Sequence, residues 1–255
     1  MMKIQNLMKM MNKNNLIFPS WPAPRSIHAI QTTRNGGVSD GPYASLNLAG
    51  HVGDATKSIR MNREMLRSFL PSDPVWLKQT HSSICINAFE AGINVEADAS
   101  FTNSMNVVCV VMTADCLPVL LCSRLGNEVA AIHAGWKGLL NGVIESTINQ
   151  MQTNPSNLLA WLGPAIGPQS FEVGNDVRDA YIELDSGAKA AFVEFSENKW
   201  LADLYKLATI RLRAKGISQI YGGEYCTFKD KEHFFSYRRE GNTGRMASLI
   251  WIGND

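Results

Sequence analysis

Two apolar runs rich in β-branched residues, Val107 to Met112 and Val129 to Ile132, constrain the fold of this chain most. Both are bounded by turn signals and read as buried strands, so any chemistry associated with them must stand at their ends. The first run leads into Thr113-Ala-Asp115-Cys116-Leu-Pro118, and the second into His133-Ala-Gly-Trp136-Lys-Gly138. A third run, starting at Val75, closes on Gln79-Thr-His81. Three strand ends thus present His81, Cys116 and His133.

Two imidazoles and one thiolate suit zinc, and three protein ligands instead of four leave a position open for water or substrate, which marks a catalytic site. The spacing of the three is far too wide for a zinc finger and favours a site assembled from distant loops. Each residue alone has a plainer reading. His81 would be a hydrogen-bonded histidine closing a strand, and Cys116 a small buried hydrophobe. Cys116 can also act as a nucleophile with a histidine as base, a role that competes with metal for the same sulfur. The availability of two histidines ranks the metal first.

Composition fits a soluble enzyme. The chain has 255 residues, 45% of them hydrophobic and 18% charged, enough to bury one large core. Its 24 basic and 23 acidic residues leave a formal net charge of +1 with no extended basic patch, which argues against nucleic acid as a partner. Cys85, Cys109, Cys116, Cys122 and Cys226 form an odd set without a C-x-x-C pair, as expected in a reducing cytoplasm. No run approaches the roughly twenty apolar residues of a membrane span. Met1 to Asn15 lacks the apolar core of a signal peptide, and residues 1–22 are expected to form a disordered or extended tail before a single domain over 23–255.

Helices and strands alternate through much of that domain. Ser26 to Thr33 reads as a strand entering the turn-rich loop Arg34-Asn-Gly36-Gly37-Val-Ser39-Asp-Gly41-Pro42-Tyr43, whose glycines let backbone amides approach a ligand. Helices are expected over Asp54 to Leu70, capped by Asp54 or Thr56, over Lys137 to Met151, and over Leu201 to Lys215. Leu158 to Leu162, Ile217 to Gly222 and Met246 to Ile252 read as further strands. The result is one α/β domain without internal repeats.

Further side chains have two readings each. Asp115, beside Cys116, is either a general base or a turn residue. Ser236 to Arg245 gathers Arg238, Arg239 and Arg245 with glycines, either as a clamp for phosphate or carboxylate or as a charged surface loop. Trp136 and Phe171 could stack on a flat ring or fill the core. The P-loop and the G-x-G-x-x-G fingerprint are both absent, which disfavours nucleoside triphosphates and dinucleotides.

The motifs Thr32-Thr-Arg34-Asn-Gly-Gly37-Val-Ser39, Ser45-Leu-Asn47-Leu, Asn62-Arg63, Gln79-Thr-His81-Ser82, Ala114-Asp115-Cys116, His133-Ala-Gly-Trp136, Gly163-Pro-Ala-Ile-Gly167-Pro and Thr243-Gly244-Arg245 occur in one order along the chain. In this the sequence resembles the laccase-domain or multicopper polyphenol oxidoreductase family, also described as purine nucleoside phosphorylases and peptidoglycan editing factors. The resemblance runs from about Ile27 to Ile252.

It implies a layered α/β sandwich of mixed sheets flanked by helices, with a metal held by His81, Cys116 and His133. It implies phosphorolysis of adenosine, inosine and methylthioadenosine together with adenosine deamination, with zinc as cofactor and copper as a substitute ion. Asp115 joins the three ligands as an expected catalytic residue, and Arg34, Asn47, Gln79 and Arg245 are expected to bind a purine nucleoside and phosphate. A homodimer is one assembly consistent with this reading, and an amidase editing a muramyl-amino acid precursor is the alternative activity. A multicopper oxidase needs roughly ten histidines for its copper centres. This chain has five and no His-x-His, so polyphenol oxidation is expected only as a side activity of a single copper.

Overall fold

The computed structural model describes residues 11–92 and 95–254. Numbered along the chain, β1 (Leu16–Ile17), β2 (Ile27–Thr32), β14 (Met246–Ile252), β6 (Val108–Thr113) and β3 (Pro74–Val75) form a five-stranded sheet in that spatial order. A six-stranded sheet runs β13 (Gln219–Gly222), β9 (Leu158–Leu162), β7 (Leu117–Ser123), β8 (Val129–Ala134), β5 (Ala99–Thr102) and β4 (Cys85–Asn87). Both sheets are mixed: β3 lies parallel to β6 and β13 parallel to β9, while β7 and β8 are antiparallel. A small sheet of β10 (Glu172–Gly174), β12 (Lys199–Ala202) and β11 (Phe192–Ser196) stands apart from these two.

The period-2 alternation of side chains explains why the central strands are apolar throughout. Cys109 and Val111 of β6 pack with Leu120 and Cys122 of β7 in a core between the two large sheets. Their neighbours Val108, Val110 and Met112 face the other way, onto Leu46, Leu48, Met65 and Leu66. Val119 and Leu121 of β7 likewise face away from the first sheet, onto Leu139, Val143 and Ile144. The chain is therefore a layered α/β sandwich, with α1 (Thr56–Arg67) outside one sheet and α2 (Trp136–Leu140), α3 (Val143–Gln150), α4 (Asn175–Leu184) and α5 (Leu204–Ala214) with the other.

Several elements differ from expectation. Lys137 to Met151 is two helices, because Gly142 takes φ 86° in the left-handed region and ends the first one. The cap of α1 falls on Ala55, since Asp54 spends one carboxylate oxygen on the Ser39 hydroxyl at 2.7 Å and the Asn47 amide at 2.9 Å. Leu201 and Ala202 belong to β12, and α5 begins only at Leu204. Val75 to His81 is a strand only at its start, so His81 sits in a loop with φ 61° instead of closing a strand. The expected tail also ends early. Met11 is buried in the core and Leu16 pairs with Thr32, because these apolar side chains extend the first sheet's covered face; residues 1–10 lie outside the described residues.

The loop between β2 and α1 is held by one side chain. Asn62, wholly buried on α1, accepts from Val38 N–H at 2.9 Å and donates to the Ser39 hydroxyl and to the Ser45 and Asn47 carbonyls. Removing it strands several buried polar groups, each worth roughly 1–3 kcal/mol. Asn62→Ala should lower unfolding free energy by about 3 kcal/mol, and a denaturant titration showing less than about 1 kcal/mol would contradict this role.

Candidate metal centre and the cavity above it

The link from β6 to β7 crosses between the two large sheets in only three residues, Ala114, Asp115 and Cys116. Asp115 makes this possible with φ 89°, a conformation aspartate tolerates better than most residues. The turn sets Cys116 immediately before β7, where the register Pro118 to His133 brings the end of β8 alongside. His81 arrives from the loop after β3. Its Nε2 lies 3.7 Å from the Cys116 sulfur, and the three potential ligand atoms all fall within 4.8 Å of one another.

Asp98 builds this convergence. Its buried carboxylate accepts the backbone N–H groups of Thr80, His81 and Ser82 at 3.1, 3.0 and 2.6 Å, and the Ser82 hydroxyl at 2.7 Å. The same carboxylate meets His133 Nδ1 at 2.7 Å. One residue therefore fixes the loop carrying His81 and the ring orientation of His133, leaving His133 Nε2 free to face Cys116. Asp98 is the residue that sequence reading missed. It sits between two alanines just before β5, where an aspartate reads as an ordinary turn.

The donor set fits a metal. For tetrahedral zinc, ligand atoms at about 2.0–2.3 Å from the ion stand some 3.3–3.6 Å apart, so a slight contraction of this cluster suffices. Space is reserved for that closeness at Gly135, where a Cβ would lie 2.8 Å from His81 Cδ2 and 2.9 Å from the Cys116 sulfur. Without an ion the groups interact as a proton-sharing set. Burial opposes the charge of both Cys116 and His133, but their mutual attraction outweighs it, making the thiol more acidic and, with help from Asp98, the imidazole more basic.

Above the cluster opens a cavity of about 540 Å³, within the range of small-molecule sites. Its walls include Trp136, Phe171, Tyr237, Arg238, Arg245 and His51. The expected site residues divide accordingly. His81, Cys116, His133, Asp115, Gln79 and Arg245 meet here. Gln79 lines the wall while its amide pairs in both directions with the Met112 backbone, each bond 2.8 Å, so that it acts as a substitute strand neighbour. Both oxygens of Asp115 are engaged, Oδ1 by the Thr227 hydroxyl at 2.6 Å and Oδ2 by the Ser236 hydroxyl and Arg238 N–H.

Arg34 and Asn47 are not in the cavity wall. Arg34 ion-pairs with Glu240 at 2.8 Å, donates to the Ala44 and Lys231 carbonyls and lies over the Phe235 ring. Asn47 is wholly buried, and its side chain accepts from Arg245 N–H at 3.0 Å, which makes it a support for Arg245. His51 was not legible as a site residue, since it follows Gly50 in an irregular loop with no periodic signal.

The family profile described as multi-copper polyphenol oxidoreductase laccase matches residues 28–253. The chain belongs to this family. It is 54% identical over 240 residues to a purine nucleoside phosphorylase of Haemophilus influenzae, covering 92% of this chain and 98% of that protein. It is 52% identical over 242 residues to the Escherichia coli purine nucleoside phosphorylase YfiH, covering 94% and 99%. A crystal structure of a Neisseria meningitidis protein superposes with a TM-score of 0.92 at 49% identity, covering 94% of this chain and 100% of that one. Geobacillus stearothermophilus YlmD gives a TM-score of 0.87 at 28% identity, covering 96% and 98%. The named relatives support an enzyme of this family acting on small molecules.

Two substitutions examine the centre. Asp98→Asn keeps the size of the side chain but removes its charge, and metal affinity measured by chelator competition should fall about 10- to 100-fold. Gly135→Ala should deplete bound metal while secondary structure by circular dichroism persists, because the added methyl group pushes His81 and Cys116 apart. Full metal occupancy in the purified alanine variant would show that the close approach at Gly135 is not needed.

Proposed function

We propose that this chain is a zinc-dependent purine nucleoside phosphorylase that also deaminates adenosine, with inosine and methylthioadenosine among its substrates, acting in the cytoplasm. The observation that carries the reading is a three-ligand His-Cys-His cluster at the base of a cavity whose walls combine aromatic rings with arginines. Relatives named purine nucleoside phosphorylase at about half identity support the choice of substrate, and the five cysteines, all free, suit a reducing compartment.

In phosphorolysis a phosphate oxygen bonds to the anomeric carbon of the sugar as the bond to the purine nitrogen breaks, and the purine leaves with the electron pair and gains a proton. A zinc ion held by His81, Cys116 and His133 supplies Lewis acidity when bound. Asp98 keeps His133 oriented. Phe171 and Trp136 offer flat apolar surface for a purine, with the Arg238 guanidinium over the Phe171 ring at 5.4 Å. Asp115, whose oxygens are saturated by protein donors, is assigned to holding the Ser236–Arg238 turn in place instead of moving a proton.

The family description does not extend to multicopper chemistry in this reading. Of the five histidines, His28 stacks on Trp251, His233 pairs with Asp230 and His51 lines the cavity outside the cluster, so only His81 and His133 converge on a cysteine. A second reading has its own observation. Cys116, His133 and Asp98 stand in nucleophile, base and orienter order, the arrangement of a thiol hydrolase, which keeps amide hydrolysis of a muramyl-amino acid precursor in view.

Metal removal separates the two. Inosine cleavage should require phosphate, drop at least about 100-fold on chelation or in Cys116→Ala, and return with zinc to the chelated wild type. Amide hydrolysis that survives in rigorously metal-free protein would support the thiol reading instead. Copper-free, zinc-loaded protein should leave a phenolic dye unoxidised. Asp115→Asn should raise KM more than it lowers kcat, and a loss confined to kcat would restore a proton-carrying role.

A further inference from the structure

The arginines near the cavity fall into two electrostatic classes. Arg34 and Arg239 share Glu240, at 2.8 and 3.0 Å, and both also donate to backbone carbonyls. Their charge is spent on closing loops. Arg245, Arg238 and Arg63 have no carboxylate within ion-pair distance among the described residues. Among the described residues Asp115 is the one carboxylate in the cavity wall, and protein donors already engage both its oxygens. The wall is therefore left with uncompensated positive charge near the ligand cluster, and at half-buried Arg245 such charge is costly without a counter-ion.

The donors are also free. Arg245 spends Nη1 on the carbonyls of Thr243 and Gly244, at 2.8 and 3.0 Å, which fixes its plane and leaves Nε and Nη2 without an acceptor among the described residues. Arg238 is held in the same way by one bond from Nη1 to the Glu172 carbonyl at 3.0 Å. Arg63 is pinned over the Trp76 ring at 3.9 Å with its Nε on the Leu48 carbonyl. His51 lines the cavity with Arg238 and Arg245, and its side chain has no hydrogen-bond partner among the described residues. Partial burial first, and then the charges of Arg245 and Arg63, lower its affinity for a proton. Its imidazole is thus neutral near pH 7 and offers one N–H to an incoming acceptor. Arg245 lines the same cavity as the ligand cluster, together with His51 and Arg238.

We propose that Arg245, His51 and Arg238, backed by Arg63, form a tetrahedral-oxyanion subsite in the cavity wall beside Cys116, and that its occupant is inorganic phosphate. A fixed guanidinium fork and a single N–H match the several acceptor oxygens of phosphate better than one carboxylate. Arg34, the other arginine suggested by sequence, takes no part. The choice of inorganic phosphate over the phosphate ester of a nucleotide rests on the phosphorylase reading, whereas the subsite itself does not.

The test is calorimetric titration of zinc-loaded protein with inorganic phosphate in the absence of nucleoside. Saturable binding is expected, weakened at least about tenfold by Arg245→Met and by several-fold in His51→Asn, with hypoxanthine affinity within about twofold of wild type. His51 is exposed, so its variant tests the proposal even if Arg245→Met folds poorly. Arg34→Met should leave phosphate affinity unchanged. Inosine should bind alongside phosphate, and inosine monophosphate should displace it. Phosphate affinity unaffected by both the Arg245 and His51 variants overturns the subsite, as does binding of the nucleotide with no binding of free phosphate. Phosphate binding that follows the variants in a protein unable to cleave inosine upholds the subsite and removes the phosphorylase reading.

Discussion

The buried carboxylate of Asp98 is the interaction on which the site depends. Burial of an unpaired charge is prohibitive, so this group must be surrounded by donors, and it recruits them from two separate parts of the fold. Three consecutive backbone N–H groups come from the loop after β3, and the His133 ring comes from β8. Burial alone would raise the Asp98 carboxyl, but the hydrogen bonds from His133 and Ser82 dominate and hold it ionised well below the usual carboxylate range. Its negative charge also stabilises a positive or metal-bound imidazole.

Around that anchor the architecture is economical in backbone. Two sheets pack face to face, and the three residues between β6 and β7 are the point at which the chain passes from one to the other. Cys116 stands at this crossing, so its sulfur lies at the open edge of the sandwich instead of in the core between the sheets. The other cysteines illustrate the contrast. Burial pushes the thiols of Cys85, Cys109 and Cys122 up to about 12, which leaves them inert, whereas Cys116 is acidified by His133 and His81 despite its own burial.

The cavity divides its labour by charge. On one side the ligand cluster offers sulfur and nitrogen donors, and on the other the arginines have been sorted by Glu240 into those that close loops and those that face the cavity. Asn47 and Asn62 show how far the supporting structure extends, since neither reaches the cavity yet both fix the loop against which Arg245 is set. Neutral amides suit this task because they satisfy buried backbone groups in both directions without adding a charge that would need compensation.

The sequence by itself determined the main strands and pointed to the three candidate ligands. Continuous β-branched runs at Val107 to Met112 and Val129 to Ile132 can be stable only when buried, and His81, Cys116 and His133 were legible as a set because two imidazoles and a thiolate together suit a metal, whereas each alone has a plainer reading. Local pattern could not reveal which distant ends meet, so Asp98 gave no signal and Arg34 read as a ligand-binding residue. It also could not foresee that Gly142 would break a helix whose apolar spacing continues past it, or that His81 would leave the strand for a left-handed loop position. Tertiary structure decided those points through a single physical requirement. Each buried charge and backbone amide must find its partner, and the partners of Asp98, Glu240 and Asp115 lie far away in sequence.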